Sequence, residues 1–223
     1  MLTRPDDRLR PILTCLVVLA ITSGCARPIV GVELQAMSFM SPLPPITGSV
    51  EVCINKKLRS RHWNVDKHPY RVELGKRAAI NFERMVKAAF RDVIVDYSDA
   101  CGRLSARPWF EARIISANRD WDGVEGIVDP EPVDTALTML FRLYANDGVL
   151  VWSKEIEAEH RAPGFVATPV IRSQKGSRDF GVVLADALQQ GYEALLADRD
   201  VRAYFADDSL ARVGATGGNI TAP

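Results

Sequence analysis

The segment that most restricts the architecture runs from Asp134 to His160, where two stretches of alternating side chains flank Asn146-Asp147-Gly148. Leu137, Met139, Phe141 and Leu143 fall on one side before the turn, and Leu150, Trp152, Ile156 and Ala158 can do the same after it. Alternation with period two marks strands that bury one face, and Asn, Asp and Gly tolerate the positive φ values of tight hairpin turns. Asp134–Ala145 and Val149–His160 are therefore expected as an antiparallel hairpin, with Trp109–Asn118 as a further long strand. The apolar face of such strands needs a cover. In Gly75–Val93 the residues Ala79, Phe82, Val86, Ala89, Phe90 and Val93 recur at helical spacing, and Ser177–Ala197 carries Phe180, Val183, Leu184, Ala187, Leu188, Gly191 and Leu195 in the same way, with Ser177 as its cap. Each helix has one apolar stripe, so each packs on one surface. Gly48–Leu58 and Val93–Tyr97 add strands, Ser98–Arg107 and Ala162–Ser177 read as irregular, and Val201–Phe205 reads as a short turn of helix. The expected fold is α+β: a two-layer sandwich of one mixed, mostly antiparallel sheet with two amphipathic helices on one face.

The start of the chain has a different character. Arg4, Arg8 and Arg10 precede an almost wholly apolar run from Ile12 to Ile21, and Thr22-Ser23-Gly24 then leads to Cys25. This is the layout of a secretory leader; the run is too short to cross a hydrocarbon core, which takes about 20 helical residues. With small residues directly before a cysteine, the leader resembles a bacterial lipoprotein signal, although Thr22 stands where that family usually has leucine. The resemblance implies that Cys25 receives a diacylglycerol and becomes the first mature residue, and Ala26 beside it, rather than aspartate, implies the outer membrane. The alternative is an ordinary secretory leader cut near Ala26. The expected organisation is a leader over 1–24, a lipidated terminus and proline-rich tether over 25–47, one domain over 48–205, and a loose tail over 206–223. Pro28, Pro42, Pro44 and Pro45 favour a semi-rigid spacer, while Ile29 to Leu34 reads either as part of it or as an edge strand.

In an oxidising compartment Cys53 and Cys101 are the two cysteines left once Cys15 departs with the leader and Cys25 is acylated, which predicts one disulfide between them. His62, His68 and His160 show no spacing that completes a metal site with these cysteines, so no metal and no cofactor are expected. The chain has 28 basic and 28 acidic residues. Removing the leader takes away three arginines and two aspartates and leaves a net charge of −1, which argues against bulk attraction to nucleic acid.

Two charged stretches are candidate partner surfaces. The first holds Lys56, Lys57, Arg59, Arg61 and Lys67 with Trp63 among them, suited to anionic headgroups or cell-wall polymer; a solvated loop and strand end explains it as well. The second is the acidic loop with Asp120, Asp122 and Glu125. Its Asp120-x-Asp122-Gly123-x-Glu125 run offers oxygens to calcium but lacks the spacing of the twelve-residue calcium loop. Catalytic motifs are missing from the sequence: there is no G-x-S-x-G elbow, phosphate-binding glycine loop or metal-ligand helix. His160 near Glu157 and Glu159 suggests acid-base work only weakly, because neighbouring charges on a solvent face look the same.

With Cys25, the proline-rich stretch, Tyr70-Arg71-Val72-Glu73-Leu74-Gly75 leading into a helix and Asp147-Gly148-Val149-Leu150-Val151-Trp152 in the hairpin, the layout resembles small envelope lipoproteins. These are the YajG-like and transport-auxiliary lipoproteins and those sharing a fold like the amino-terminal domain of TolB. The resemblance implies a non-enzymatic accessory or assembly component, held to the membrane by its lipid and binding an envelope protein or cell-wall polymer. It supplies no catalytic residues. A carrier of a lipid or small ligand, or less readily an envelope hydrolase, is the alternative.

Overall fold

The computed structural model describes residues 29–64, 71–101, 106–120, 133–163 and 169–206. The leader, Cys25, Lys67, Asp122 and Glu125 lie outside them, and of Asp120 the backbone alone is described. The elements in chain order are β1 (Ile29–Gly31), β2 (Ile46–Cys53), α1 (Lys56–Arg59), β3 (His62–Asn64), β4 (Arg71–Glu73), α2 (Gly75–Ala89), β5 (Phe90–Asp96), β6 (Trp109–Asp120), β7 (Val133–Tyr144), β8 (Leu150–Ala162) and α3 (Pro169–Ala197), followed by α4 over residues 199–206.

A five-stranded sheet in the order β5-β2-β6-β7-β8 forms the main layer. Its β5-β2-β6 part is parallel and its β6-β7-β8 part antiparallel, which is the mixed sheet expected from the sequence. The hairpin turn carries Gly148 at φ 86°, in the left-handed region where a side chain is strained, and Ala145 closes it by donating to the Val149 carbonyl at 2.8 Å. Inward side chains of β2, β6, β7 and β8 meet those of α2 and α3 in one core, where Phe82 lies 5.2 Å from Phe110 and 6.1 Å from Phe141 between ring centres. The α+β sandwich with both helices on one face is the architecture found.

Several boundaries differ from the sequence expectation. The first long helix stops at Ala89 rather than Val93, because Phe90 adopts extended backbone and opens β5. The β-branched run Val93-Ile94-Val95 pairs with Val50, Glu51 and Val52, and Phe90 fills the core against the Phe205 ring at 5.1 Å. The strand expected over Gly48–Leu58 ends at Cys53. There the Asn55 side chain accepts from the Leu58 amide at 2.9 Å and caps α1. The second long helix begins at Pro169, a residue whose fixed φ suits a first helical position. Ser177 is thus inside the helix and not its cap.

A second, three-stranded sheet, β1-β4-β3, was not expected. Its strands are three residues each, too short for any period to show. It places Val72 in the core, and Trp63 packs on Phe180 of α3. The stretch expected to be a spacer is, from Ile29 on, part of the folded body. Val32 is buried, Leu34, Met37 and Phe39 pack on the core, and the Met37 amide donates to Asn81 Oδ1 at 3.0 Å. The Ser177 hydroxyl donates to the Gly31 carbonyl at 2.5 Å and accepts from the Glu33 amide at 2.8 Å. Gly181 allows this approach, since a Cβ there would lie 2.4 Å from the Glu33 carbonyl oxygen. Apolar contacts and these bonds outweigh what the prolines suggested.

Candidate binding cleft

The basic stretch becomes a surface through α1. The Asn55 cap starts the helix, Leu58 is its one buried residue, and Lys56, Lys57 and Arg59 are left exposed with Arg61 beyond the helix end. Asp99 Oδ1 accepts from the Lys56 amide at 2.8 Å, and Arg59 Nη2 donates to the Tyr97 carbonyl at 3.1 Å. Both contacts fasten α1 to the segment after β5. The same segment is tied to the end of β2 by a Cys53–Cys101 disulfide with a Cα–Cα distance of 5.4 Å. Trp63 does not belong to the charged surface. It is half-buried, with its ring centre 4.6 Å from that of Phe180.

The topology adds cations that the sequence did not group with these. A cleft of about 640 Å³ is lined by Lys57, Arg61, His62, Arg71 and Arg113, with Ser60 and the apolar Leu58, Ile114 and Ile115. Among the described residues that line it, none is a carboxylate. Arg113 comes from β6, where the register against β7 slips between Ile114 and Ser116. This bulge leaves Ile115 unpaired and 46% exposed beside the arginine; bulges commonly re-aim a side chain in this way. Arg113 also bonds Glu111 at 3.0 Å. Arg71 enters from β4 and is exposed. Neither residue could be assigned from sequence, because the two sheets that supply them meet only in the fold. Anions with an apolar part match such a lining: the guanidinium groups offer forked donors and the isoleucines a dry floor.

A neighbouring cleft of about 800 Å³ shares Lys57, Ser60 and Arg113 but also contains Asp99, Glu111 and Asp147, so its charge is mixed. A third, about 710 Å³, lies at the far end of β8 beside His160, Lys175, Arg178, Asp179 and Glu33. Asp179 pairs with Arg119 at 2.8 Å, both side chains being almost fully buried, and His160 Nε2 stands 3.9 Å from Asp179. Burial pushes the Lys175 ammonium below the usual lysine range, against the pull of Asp179; its amine donates to the Pro163 carbonyl. His160 is not joined with Glu157 and Glu159 into an acid-base group: those carboxylates are exposed on the sheet's outer face, while the imidazole turns towards α3. Among the described residues no cluster of three or more His, Cys, Asp or Glu side chains is placed to hold a metal ion, and no helix is long and apolar enough to cross a membrane.

No protein-family model and no curated protein matches this chain. In fold outline it is similar to protein XCC0632 from Xanthomonas campestris, with a TM-score of 0.46 and 12% identity over 82% of this chain and 98% of that one. It is also similar to lipoprotein B from Nitrosomonas europaea, with a TM-score of 0.44 and 12% identity over 73% and 92%. A minor lipoprotein from Acinetobacter baumannii gives 0.43 and 13% over 70% and 96%. None of the three is described as YajG-like or TolB-like.

Proposed function

We propose that this protein is a lipid-anchored, non-catalytic envelope component that recognises an anionic partner at the cleft between α1, β4 and the β6 bulge. The observation that carries the proposal is the convergence of Lys57, Arg61, His62, Arg71 and Arg113 on one cleft with no carboxylate among its described lining residues. Isolated surface lysines rarely mean anything; cations from three separate elements around one apolar floor form a recognition surface. The leader ending in Cys25 supports a membrane anchor, with Ala26 favouring the outer membrane, and the sequence resemblance to envelope accessory lipoproteins supports the same role. The carrier alternative receives less support. Phe82, Phe110 and Phe141 occupy the space between helices and sheet where such a ligand would sit.

Cross-linking in intact cells, followed by identification of the captured species, tests the role. Capture of an anionic envelope species, whether protein, polymer or lipid, lost in a Lys57→Glu/Arg61→Glu/Arg113→Glu chain, is the expected result. Capture unchanged by those reversals removes the cleft from the account, and turnover of a substrate by the purified protein removes the non-catalytic role. Cys25→Ala should release the chain from membrane fractions and leave an unprocessed precursor; unchanged fractionation and mass would overturn the anchor.

A further inference from the structure

We infer that the anion recognised by this cleft is the phosphate-bearing headgroup surface of the membrane that holds the anchor, so that the cleft docks the domain in one orientation on the lipid. The inference rests on the proposed acylation of Cys25 and narrows the ligand of the proposed site. β1 begins at Ile29, four residues after Cys25, and pairs in parallel with β4, residue Ile29 opposite Arg71. Four residues span at most about 14 Å, and paired strands lie about 4.8 Å apart. Arg71 lines the cleft. An acylated Cys25 therefore holds Arg71, at the edge of the cleft, within about 20 Å of the lipid surface by these same spacings, a distance set by full extension and shorter for any less extended path.

The docked segment makes the leash short. Had residues 25–47 formed the spacer suggested by the prolines, the domain could turn any face to the membrane. With Val32 buried and Ser177 bonded on both sides of it, the body of the domain holds the chain from Ile29 on. The tether thus keeps Lys57, Arg61, Arg71 and Arg113 within reach of the anionic lipid surface, whose field decays within about 8 Å at physiological salt, and close approach of the cleft face brings them into it. The exposed Ile115 supplies an apolar contact beside them. Retention does not depend on the cleft, because a diacylglycerol is already a two-chain anchor; the cleft sets orientation.

The test uses the mature-length chain with Cys25→Ser, which keeps every described residue but carries no lipid. Its flotation is measured with vesicles of phosphatidylglycerol and phosphatidylcholine, and with phosphatidylcholine alone. Binding to the first and not the second is expected, weakening with added salt. Arg61→Gln/Arg71→Gln/Arg113→Gln should weaken it about 100-fold, at roughly five-fold per charge; these side chains are on the surface, and an unchanged circular dichroism spectrum shows that the fold survives. No flotation on anionic vesicles, or flotation that the triple variant retains, overturns the inference. So does binding of inorganic phosphate or polyglutamate without binding of vesicles. In those cases a cross-linked partner lost on charge reversal would leave the proposed function standing, whereas a Cys25 found without lipid by mass spectrometry would remove the anchor itself and the inference with it.

Discussion

Asp179→Ala should be among the most destabilising single changes in this domain. Arg119 and Asp179 are 6% and 3% exposed and 2.8 Å apart, and the cause of their burial lies in β6. Up to the bulge, Phe110, Ala112 and Ile114 point inward; the extra residue Ile115 reverses the parity, so Ala117 and Arg119 point inward next, Arg119 opposite Thr135. A guanidinium is thereby driven into the core, and Asp179 of α3 meets it. Removing one partner of a buried pair leaves an uncompensated charge and costs about 3–5 kcal/mol. For a chain of this size, that is a fall in Tm of about 6–20 °C. Nor is the site fully satisfied: among the described residues, Arg119 Nε and the neighbouring Thr135 Oγ1 are buried without a hydrogen-bond partner. Arg119→Met/Asp179→Leu should therefore recover most of the loss, because an apolar replacement removes both desolvation costs together. Urea unfolding of the native chain, Arg119→Met, Asp179→Leu and the double variant gives the coupling directly. A loss under about 1 kcal/mol for Asp179→Ala, or a double variant less stable than either single one, would refute the burial argument.

The orphan hydroxyl makes a related prediction: Thr135→Val should raise the urea midpoint by the equivalent of about 1 kcal/mol, the lower end of the cost of an unsatisfied buried group, and a lowered midpoint would show that Thr135 has a partner. Breaking the Cys53–Cys101 bond, which closes a separation of 48 residues, should cost about 4 kcal/mol in the chain-entropy model. Two free thiols on labelling the denatured, unreduced protein would show that the bond does not form. At Glu83, burial favours the neutral acid, but hydrogen bonds from Lys87 and Tyr97, both 2.6 Å, outweigh it and hold the carboxyl below its ordinary value of 4.5. Because the folded value is depressed, this stabilisation is present above the unfolded value and is lost as pH falls through the folded one. The gap in urea midpoint between the native chain and Glu83→Gln should accordingly close in acid, and a gap that widens would contradict the sign.

How much of this could be read from sequence depended on element length. The hairpin around Gly148 and the two striped helices were legible because each repeats its period several times, and they suffice for the two-layer architecture. The β1-β4-β3 sheet was not, since a strand such as Arg71-Val72-Glu73 offers one inward residue and no repeat. The first turns of α3 have no helical signature in the sequence, because Pro169 and Gly176 suggest loops and the apolar stripe starts only at Phe180. Lys56, Lys57 and Arg61 were legible as a cluster by their adjacency. Arg71 and Arg113 join them only through strand pairing and a one-residue bulge, neither of which leaves a mark in composition or spacing.

The contact that turns a presumed spacer into part of the body is small enough to be removed by one atom. Ser177 bonds the Gly31 carbonyl and the Glu33 amide at once, and Gly181 one turn later leaves space for the Glu33 carbonyl. In Ser177→Ala the Gly31 carbonyl loses its hydroxyl donor and the Glu33 amide keeps only its 3.3 Å bond to the Ser177 carbonyl, which costs about 0.5–1.5 kcal/mol; in Gly181→Ala the new methyl displaces residues 31–34 at about 1–3 kcal/mol from overpacking. The global core of Phe82, Phe110 and Phe141 is untouched by either change. Exchange of the Glu33 amide should therefore accelerate through local opening while amides in β6 and β7 keep their protection. If residues 29–34 open, more residues separate Cys25 from the folded body and the domain gains the freedom to turn its basic cleft away from the membrane. A Glu33 amide that exchanges equally slowly in Ser177→Ala and the native chain would mean that the hydroxyl does not hold this segment, and the short leash would then rest on Val32 burial, the β1–β4 pairing and the Glu33 bond to the Ser177 carbonyl.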